Sequence, residues 1–238
     1  MGKISKELRR FYFRLMNTLH APYVSSNTDS DPFYALTSKV TDLINGLDRP
    51  KILEVGSRNV TGDLKRGWFP NAGEYVGMDI LAGENVDIVG DAHRLSEYVP
   101  ANHFDVVYSA SVFEHLLIPW KAALEINRVL KVGGYVFTAT HPMWPEHEMP
   151  WDFWRFPKTG FHSLFNEFTG FELIEVAEGV PCKVYSLTNS PPAKRLHKHV
   201  VNGGVACLAR KIGPYREDLL KWDISATDVL ETMYPPKD

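Results

Sequence analysis

Acidic side chains stand at or near the ends of three short apolar stretches in the first half of the chain. Ile52-Leu53-Glu54-Val55 stops at Gly56, the next stretch carries Asp79, and a third ends at Asp91. A short apolar run that stops at a glycine or an acid is typical of a buried parallel strand at the carboxyl edge of a sheet. A carboxylate can accept both hydrogen bonds of a ribose diol. These strand ends therefore predict a crevice for a cofactor that carries a nucleoside.

A second group of reactive side chains lies in residues 141–157. This segment contains four prolines and three tryptophans among 17 residues, a composition that excludes a regular helix or a central strand. It follows a predicted strand, at the edge where α/β proteins place substrate loops. We therefore predict that residues 141–157 form a substrate loop.

The elements that must position these residues alternate between strand and helix along the chain, which predicts an α/β fold with a doubly wound, mostly parallel sheet in three α/β/α layers. Helices are predicted at 3–20, Phe33–Leu47, Ala92–Tyr98, Pro119–Leu130 and Phe161–Phe168. Strands are predicted at Ile52–Val55, Glu74–Ile80, Val86–Asp91, Phe104–Ser109, Tyr135–Thr140, Phe171–Ala177 and Gly203–Lys211, with a turn at Gly133-Gly134 before the fifth.

The predicted domain organisation has three parts. Residues 1–48 form an N-terminal helical cap, 49–213 the cofactor-binding domain with its loop at 141–157, and 214–238 a C-terminal helix and tail. The apolar positions of 3–20 recur at helical spacing. That helix either packs on the domain or serves as a lid or a dimer contact, so a homodimer is a further expectation.

Composition narrows the function classes. The chain has 238 residues and a formal charge of −3, with 26 basic and 29 acidic residues, and this balance argues against a nucleic-acid binder. No apolar run reaches the roughly 20 residues of a membrane span, and residues 1–10 lack the apolar core of a signal peptide. Cys182 and Cys207 alone predict neither a disulfide framework nor a thiolate zinc site. We expect a cytoplasmic protein.

Three stretches together resemble the class I S-adenosylmethionine (SAM) methyltransferases, type-11 branch, over about residues 50–180. The first comprises Glu54-Val55-Gly56, Asp79 and Gly90-Asp91-Ala92; the others are Phe104–Leu116, which contains Glu114-His115, and Leu130–Phe137. The resemblance implies a Rossmann-like sheet with an antiparallel last strand, and SAM as the cofactor. One departure is the turn Gly56–Gly62, since most relatives have a glycine-rich turn there.

The resemblance also implies residue roles. Asp79 would hold the ribose, Asp91 and Ala92 the adenine, and Glu54 the methionine amino group, while Glu114 and His115 would lie near the methionine part. The expected cofactor-binding residues are Glu54, Gly56, Ser57, Asp79, Ile80, Asp91, Ala92, Ser109 and Ala110. From the residues alone, Asp79 is equally a helix cap or a loop anchor, and Asp91 an N-cap.

His141 follows the fifth strand directly, so it should face the methyl group. A neutral imidazole accepts a proton near pH 7, and we predict His141 as the general base, with Glu114 and His115 as further catalytic candidates. The alternative is a histidine that only anchors the loop. His141, Glu146, His147 and Glu148 do not have diagnostic metal-ligand spacing, and no metal site is predicted.

The aromatic side chains of the loop either form a small core or present flat faces to a ring-shaped substrate, such as a sugar. The expected substrate-binding residues are Trp144, His147, Trp151, Trp154 and Arg155. The first hypothesis is O-methylation of a sugar or oligosaccharide. The alternatives are methylation of a small aromatic or polyketide-like metabolite, and a catalytically silent SAM-fold binding subunit, which the altered turn after Gly56 keeps open.

Overall fold

A seven-stranded mixed sheet forms the centre of the molecule. The computed structural model describes residues 6–20, 28, 30–60, 62–188, 190–193 and 195–219. Its strands are β1 (Lys51–Val55), β2 (Glu74–Asp79), β3 (Ile88–Val89), β4 (Phe104–Ala110), β5 (Leu130–Thr140), β6 (Phe171–Cys182) and β7 (Val201–Lys211). Their order is β3-β2-β1-β4-β5-β7-β6. The first five strands are parallel, and β7 runs antiparallel to both β5 and β6.

Helices cover both faces of this sheet, because successive strand residues point to opposite sides. The helices are α1 (Lys6–His20), α2 (Pro32–Asn45), α3 (Leu95–Tyr98), α4 (Pro119–Val129) and α5 (Phe161–Leu164). Ile52 of β1 is buried with Leu36 and Ile44 of α2. Its neighbour Leu53 is buried on the other face with Ile126 of α4. The predicted doubly wound, three-layer architecture is confirmed.

The connection after β1 contains no α-helix in its described residues. A 3₁₀ turn at Lys65–Trp68 takes its place. Glycine and proline break the helical pattern here, as the sequence predicts. The chain therefore reaches β2 by an irregular path that borders the carboxyl edge of the sheet.

Several predicted elements differ in extent from the observed ones. The third strand, predicted at Val86–Asp91, comprises only Ile88–Val89, and the helix predicted at Ala92–Tyr98 begins at Leu95, because the Asp91 side chain caps a 3₁₀ turn before it. β5 begins at Leu130 rather than Tyr135, since Gly133 and Gly134 lie in a bulge where the pairing with β4 shifts register. The helix predicted at Phe161–Phe168 ends at Leu164, because the Asn166 side chain caps a separate 3₁₀ turn. β6 continues to Cys182, five residues past the predicted end at Ala177.

The two ends of the described chain are exposed to different degrees, since Tyr215 is buried and contacts Arg128 of α4. Six apolar side chains of α1, among them Phe11 and Leu15, are between 45% and 62% exposed, while Met16 is partly buried, and packing of this helix on the domain stays a prediction. The lid and the dimer contact stay predictions. Residues 214–219 contain no helix, and the rest of the predicted C-terminal helix and tail lies outside the described residues. No described helix is long and apolar enough to span a membrane.

Candidate functional site

A cavity of about 520 Å³ opens at the carboxyl ends of β1, β2 and β4, where the topology of the sheet predicts a binding crevice. It has the size of a small-molecule site. Most of the predicted site residues line it: Glu54, Gly56, Ser57, Asp79, Ile80, Asp91, Ala92, Ala110, His115, His141, Trp144, His147 and Trp151. Ser109, Glu114, Trp154 and Arg155 are not among the lining residues.

Gly56 brings the first strand end against the turn that follows β4. Its φ is +80°, and a Cβ at this position would lie 2.1 Å from Val112 Cγ2. Its N–H and that of Ser57 donate to the Met78 carbonyl, at 2.8 and 3.1 Å. Only glycine combines this dihedral angle with this approach, so the turn can narrow the cavity without a glycine-rich sequence.

Glu54 is buried beside the cavity and is paired, as its burial requires. Its Oε2 accepts hydrogen bonds from Tyr75 Oη at 2.7 Å and Asn85 Nδ2 at 2.9 Å. Burial raises the pKa of Glu54, and these two hydrogen bonds only partly offset that effect. A cationic ligand group in the cavity would favour the carboxylate form.

Asp79 ends β2 with its carboxylate at the cavity. Oδ1 accepts from the Leu81 N–H at 2.9 Å and lies 3.5 Å from Arg58 Nε. Asp79 is thus both a loop anchor and a lining carboxylate. Arg58 also lines the cavity, and the sequence reasoning missed it because it lies in the irregular turn after Gly56.

Asp91 and His93 form a fixed pair at the third strand end. Asp91 Oδ1 accepts from the His93 N–H at 2.8 Å and lies 2.6 Å from His93 Nδ1. The Ile118 N–H donates to His93 Nε2 at 3.2 Å, so the ring proton is on Nδ1, which donates to Asp91. Burial raises the pKa of Asp91, but the hydrogen bonds from His93 outweigh it and the net shift is downward. No motif or spacing in the sequence indicated that His93 would support the site.

The turn after β4 brings backbone and a buried acid to the other end of the cavity. Ala110 lines the cavity, while the Ser109 side chain is buried and its Oγ makes no hydrogen bond within the described chain. Glu114 is fully buried, and its Oε2 accepts from Thr140 Oγ1 at 2.6 Å. Its Oε1 accepts no hydrogen bond from any described residue.

His141 lies against this acid. Its Nδ1 is 3.1 Å from the Gly203 carbonyl oxygen, to which it donates, so the neutral ring carries its lone pair on Nε2. That nitrogen is 3.5 Å from Glu114 Oε1. Trp144 stacks on the imidazole with centroids 4.7 Å apart. His141 is therefore held on one side by the backbone and faces a carboxylate on the other.

The segment 141–157 is irregular, as predicted, but its backbone is held by more hydrogen bonds than its composition suggests. The N–H groups of Phe153 and Trp154 donate to the Glu114 carbonyl, and that of Phe156 to the His141 carbonyl. Asp152, with its side chain only 1% exposed, accepts two hydrogen bonds from Arg155 at 2.5 and 2.6 Å. These bonds from Arg155 lower the pKa of Asp152.

The two hypotheses for the loop aromatic residues each describe part of it. Trp151 is buried, whereas Trp144 is 47% exposed; both line the cavity. Trp154 packs edge-on against Trp120 with centroids 5.8 Å apart. Arg155 is engaged with Asp152 and with the carbonyls of Trp144 and Pro145. The structure thus places Trp154 and Arg155 outside the cavity, where they support the loop.

The residues present fit SAM on observations of this cavity. Two strand-end carboxylates and a buried third border one end, Gly56 lets the turn after β1 approach Val112 without a collision, and the volume suits a nucleoside with an amino-acid arm. The other end of the cavity, around His141, has its own polar side chains, which come from the turn after β4 and from residues 141–157.

Comparisons with known proteins agree with this arrangement. Residues 53–138 match the family described as methyltransferase domain. No curated protein matches the sequence. A candidate methyltransferase from Bacillus halodurans superposes with a TM-score of 0.56 at 15% identity, covering 74% of this chain and 98% of that one. A SAM-dependent methyltransferase from Archaeoglobus fulgidus gives 0.51 at 17% identity, with coverage of 84% and 100%.

A third solved structure carries a different name. The [4+2]-cyclase SpnF superposes with a TM-score of 0.50 at 18% identity, over 80% of this chain and 86% of that one. At these identities the likeness concerns the fold alone. The methyl-transfer assignment therefore depends on the domain match and on the residues of the cavity.

Proposed function

We propose that this protein, a SAM-dependent methyltransferase by its domain match at residues 53–138 and its class I fold, methylates a hydroxyl group of a sugar or oligosaccharide. When bound, SAM supplies an electrophilic methyl group, so the protein has to orient the acceptor and receive its proton. The observation that carries the proposal is the acceptor end of the cavity, where His141, Glu114 and the exposed face of Trp144 meet.

The cofactor end would be held by the three strand ends. Asp79 can accept from a diol, since its carboxylate lines the cavity while Leu81 and Arg58 fix its orientation. Asp91 is oriented by His93 in the same way. Glu54, held by Tyr75 and Asn85, offers a buried carboxylate to a cationic group.

His141 is the group that we assign to the acceptor proton. Its Nδ1 donates to Gly203, which orients the ring and leaves Nε2 basic. An imidazolium formed there would be stabilised by Glu114, whose Oε1 lies 3.5 Å away. The acceptor oxygen would bond to the methyl carbon as its proton passes to Nε2. Such a base contributes roughly 10²–10⁴-fold to the rate.

A sugar ring suits the surroundings of His141. The half-exposed Trp144 ring presents a flat apolar face, and His147 and Glu148 stand beside it on the cavity wall. Sugars combine apolar C–H faces with polar rims, and such rings pack on aromatic side chains flanked by hydrogen-bonding groups.

The test is a screen of acceptors with the purified protein and SAM, with the mass of the product as the measurement. Monosaccharides, oligosaccharides, phenols and polyketide-like alcohols are compared at equal concentration. A gain of one methyl group on a sugar supports the proposal, and methylation of phenols alone would replace it with the small-aromatic alternative. SAM binding measured by calorimetry, with no product from any acceptor class, would favour the silent binding subunit.

A further inference from the structure

We infer that Glu114, His115 and His147 form a site for a divalent transition-metal ion at the acceptor end of the cavity. One ligand atom from each of these residues lies within 4.8 Å of the other two. The three come from two separate segments, the turn after β4 and the substrate loop, and His115 and His147 line the cavity. Their spacing in sequence gave no indication of this arrangement.

Glu114 supplies the strongest argument. The side chain has no solvent exposure, yet Oε1 accepts no hydrogen bond in the described parts of the chain. A buried carboxylate oxygen without a donor costs free energy. A bound cation would satisfy it directly, while Oε2 keeps its bond to Thr140.

The two imidazoles are oriented as metal-binding histidines usually are, with the ring N–H on a backbone carbonyl or a carboxylate. His115 Nδ1 lies 2.6 Å from the Trp151 carbonyl oxygen. His147 Nδ1 lies 3.1 Å from the Pro145 carbonyl oxygen and 3.3 Å from Asp152 Oδ2. Each contact places the ring proton on Nδ1, so each neutral ring carries its lone pair on Nε2.

The rings also stand close together, with the centroids of His115 and His147 4.8 Å apart. Tetrahedral ligands of zinc at about 2.0–2.1 Å are separated by about 3.3 Å, so ligand atoms now within 4.8 Å of one another would move closer by up to about 1.5 Å. His147 belongs to the substrate loop and its side chain is 31% exposed, which leaves it room for this shift.

The donor set indicates the class of metal. Two imidazoles and one carboxylate suit Zn²⁺ and related ions rather than Mg²⁺ or Ca²⁺, which prefer oxygen ligands. Three protein ligands leave at least one open coordination position, as in catalytic zinc sites. The residues assigned to SAM at the strand ends are separate from this set.

The role of the ion rests on the proposed function. A metal at this position would coordinate the acceptor hydroxyl and lower its pKa, which makes the oxygen a better nucleophile. The oxygen–methyl bond forms as the sulfur–methyl bond breaks, and the hydroxyl proton passes to His141. No oxidant or reductant is needed, so a redox-inert ion suffices.

Binding is tested with Co²⁺ as the probe on full-length protein treated with a chelator, in the absence of SAM and acceptor. Visible absorption follows the titration, and Zn²⁺ serves as competitor. We expect saturation near one equivalent, and at least about tenfold weaker binding in His147→Ala and Glu114→Gln. His162→Ala, which removes an exposed histidine of α5, is the matched control and should bind as wild type.

The site is overturned if the wild-type protein shows no saturable binding, or if both variants bind as tightly as the control. Because Glu114 is fully buried, circular dichroism checks that its variant folds, and the partly exposed His147 decides the matter if it does not. Turnover that is unchanged after chelation would overturn the role of the ion. Metal binding with no methylated hydroxyl would count against the proposed function and leave the site standing.

Discussion

The two ends of the cavity hold their acidic side chains in different ways. At the cofactor end, Glu54, Asp79 and Asp91 each accept hydrogen bonds from the chain itself. At the acceptor end, Glu114 is the most buried of the four acids, and its Oε1 accepts none within the described chain.

This difference follows from where the residues lie. The first three acids are on or directly after parallel strands. Their donors are fixed either by the neighbouring strand, as Tyr75 is, or by the turn that follows, as the N–H groups of Leu81 and His93 are. Glu114 lies in a 3₁₀ turn, Phe113–His115, covered by the substrate loop. Carboxylates that already accept hydrogen bonds select a ligand by its shape and orientation. A buried carboxylate oxygen without a donor gains the most free energy when a proton or a cation binds to it. The acceptor end is therefore where we expect the chemistry.

The largest effect should come from His141→Ala. We expect turnover to fall by about 10²–10⁴-fold, because the acceptor proton loses its base, while SAM affinity stays near wild type. Initial rates with the best acceptor and calorimetry with SAM measure the two quantities separately. His162→Ala is the control. Near-normal turnover, or a loss of turnover accounted for by weaker SAM binding, would contradict the assignment of catalysis to one end of the cavity and SAM binding to the other.

Asp79→Ala should have the opposite signature. Charge-assisted hydrogen bonds are worth about 1.5–3 kcal/mol each, so SAM should bind at least about tenfold more weakly, with a smaller change in turnover at saturating SAM. Asp42→Ala, an exposed acid of α2, is the control. Unchanged affinity in a variant with wild-type melting behaviour would remove the ribose assignment.

The sheet could be predicted from sequence because its signals are local. Ile52–Val55 and Phe104–Ser109 are short apolar runs, and such runs report burial on both faces of a parallel sheet. Placing Glu54, Asp79 and Asp91 at one edge then needs only the rule that parallel strands end on the same side. The bulge at Gly133-Gly134 was missed, since a glycine pair predicts a turn as readily as an irregularity within a strand.

The acceptor end depends on contacts between distant residues. His141 is oriented by Gly203, 62 residues further along the chain, and His115 by Trp151, 36 residues away. No sequence periodicity indicates contacts between residues so far apart in the chain. Arg155 was predicted to bind substrate because it is a polar residue in an aromatic loop. In the structure it supports the loop through Asp152, a contact that the sequence pattern does not indicate.

Arg155→Met tests whether that support orders the acceptor end. The variant leaves Asp152, whose side chain is 1% exposed, without its bidentate partner. A loss of about 1.5 kcal/mol would speed hydrogen exchange in residues 141–157 roughly tenfold, and the strands should be unaffected. Arg94→Met is a matched control, since Arg94 and Glu97 form a pair of the same spacing with both side chains about half exposed.

The lid and the packed-core interpretations of residues 141–157 predict different rates of hydrogen exchange with and without acceptor. If the segment is a substrate lid, acceptor should slow its exchange in the wild type more than in the control region of β4 and β5. Protection equal to that of these strands under both conditions would show that the loop is a packed part of the core. Arg155 would then be a purely structural residue.

Glu54→Gln should have the smallest effect, and it appears in the pH dependence of stability. Burial raises the pKa of Glu54 in the folded protein above its ordinary value of 4.5, against the hydrogen bonds of Tyr75 and Asn85 and the charges of Lys65 and Arg66. Well below pH 4.5 both states are protonated and Glu54 contributes no pH dependence. As the pH rises past that value, the unfolded state releases its proton first, so the folded state holds more protons and stability declines. The decline in stability ends above the pKa of Glu54 in the folded protein.

The Gln variant lacks this pH-dependent component, so its free energy of unfolding relative to wild type should rise across that window and then level off. Urea unfolding at a series of pH values from about 4 to 8, without SAM, measures the difference, and Asp42→Asn controls for removal of one acidic group. A difference that stays constant with pH, or that falls as the pH rises, would mean that the hydrogen bonds of Tyr75 and Asn85 fully offset the burial of Glu54, and the raised pKa would be ruled out.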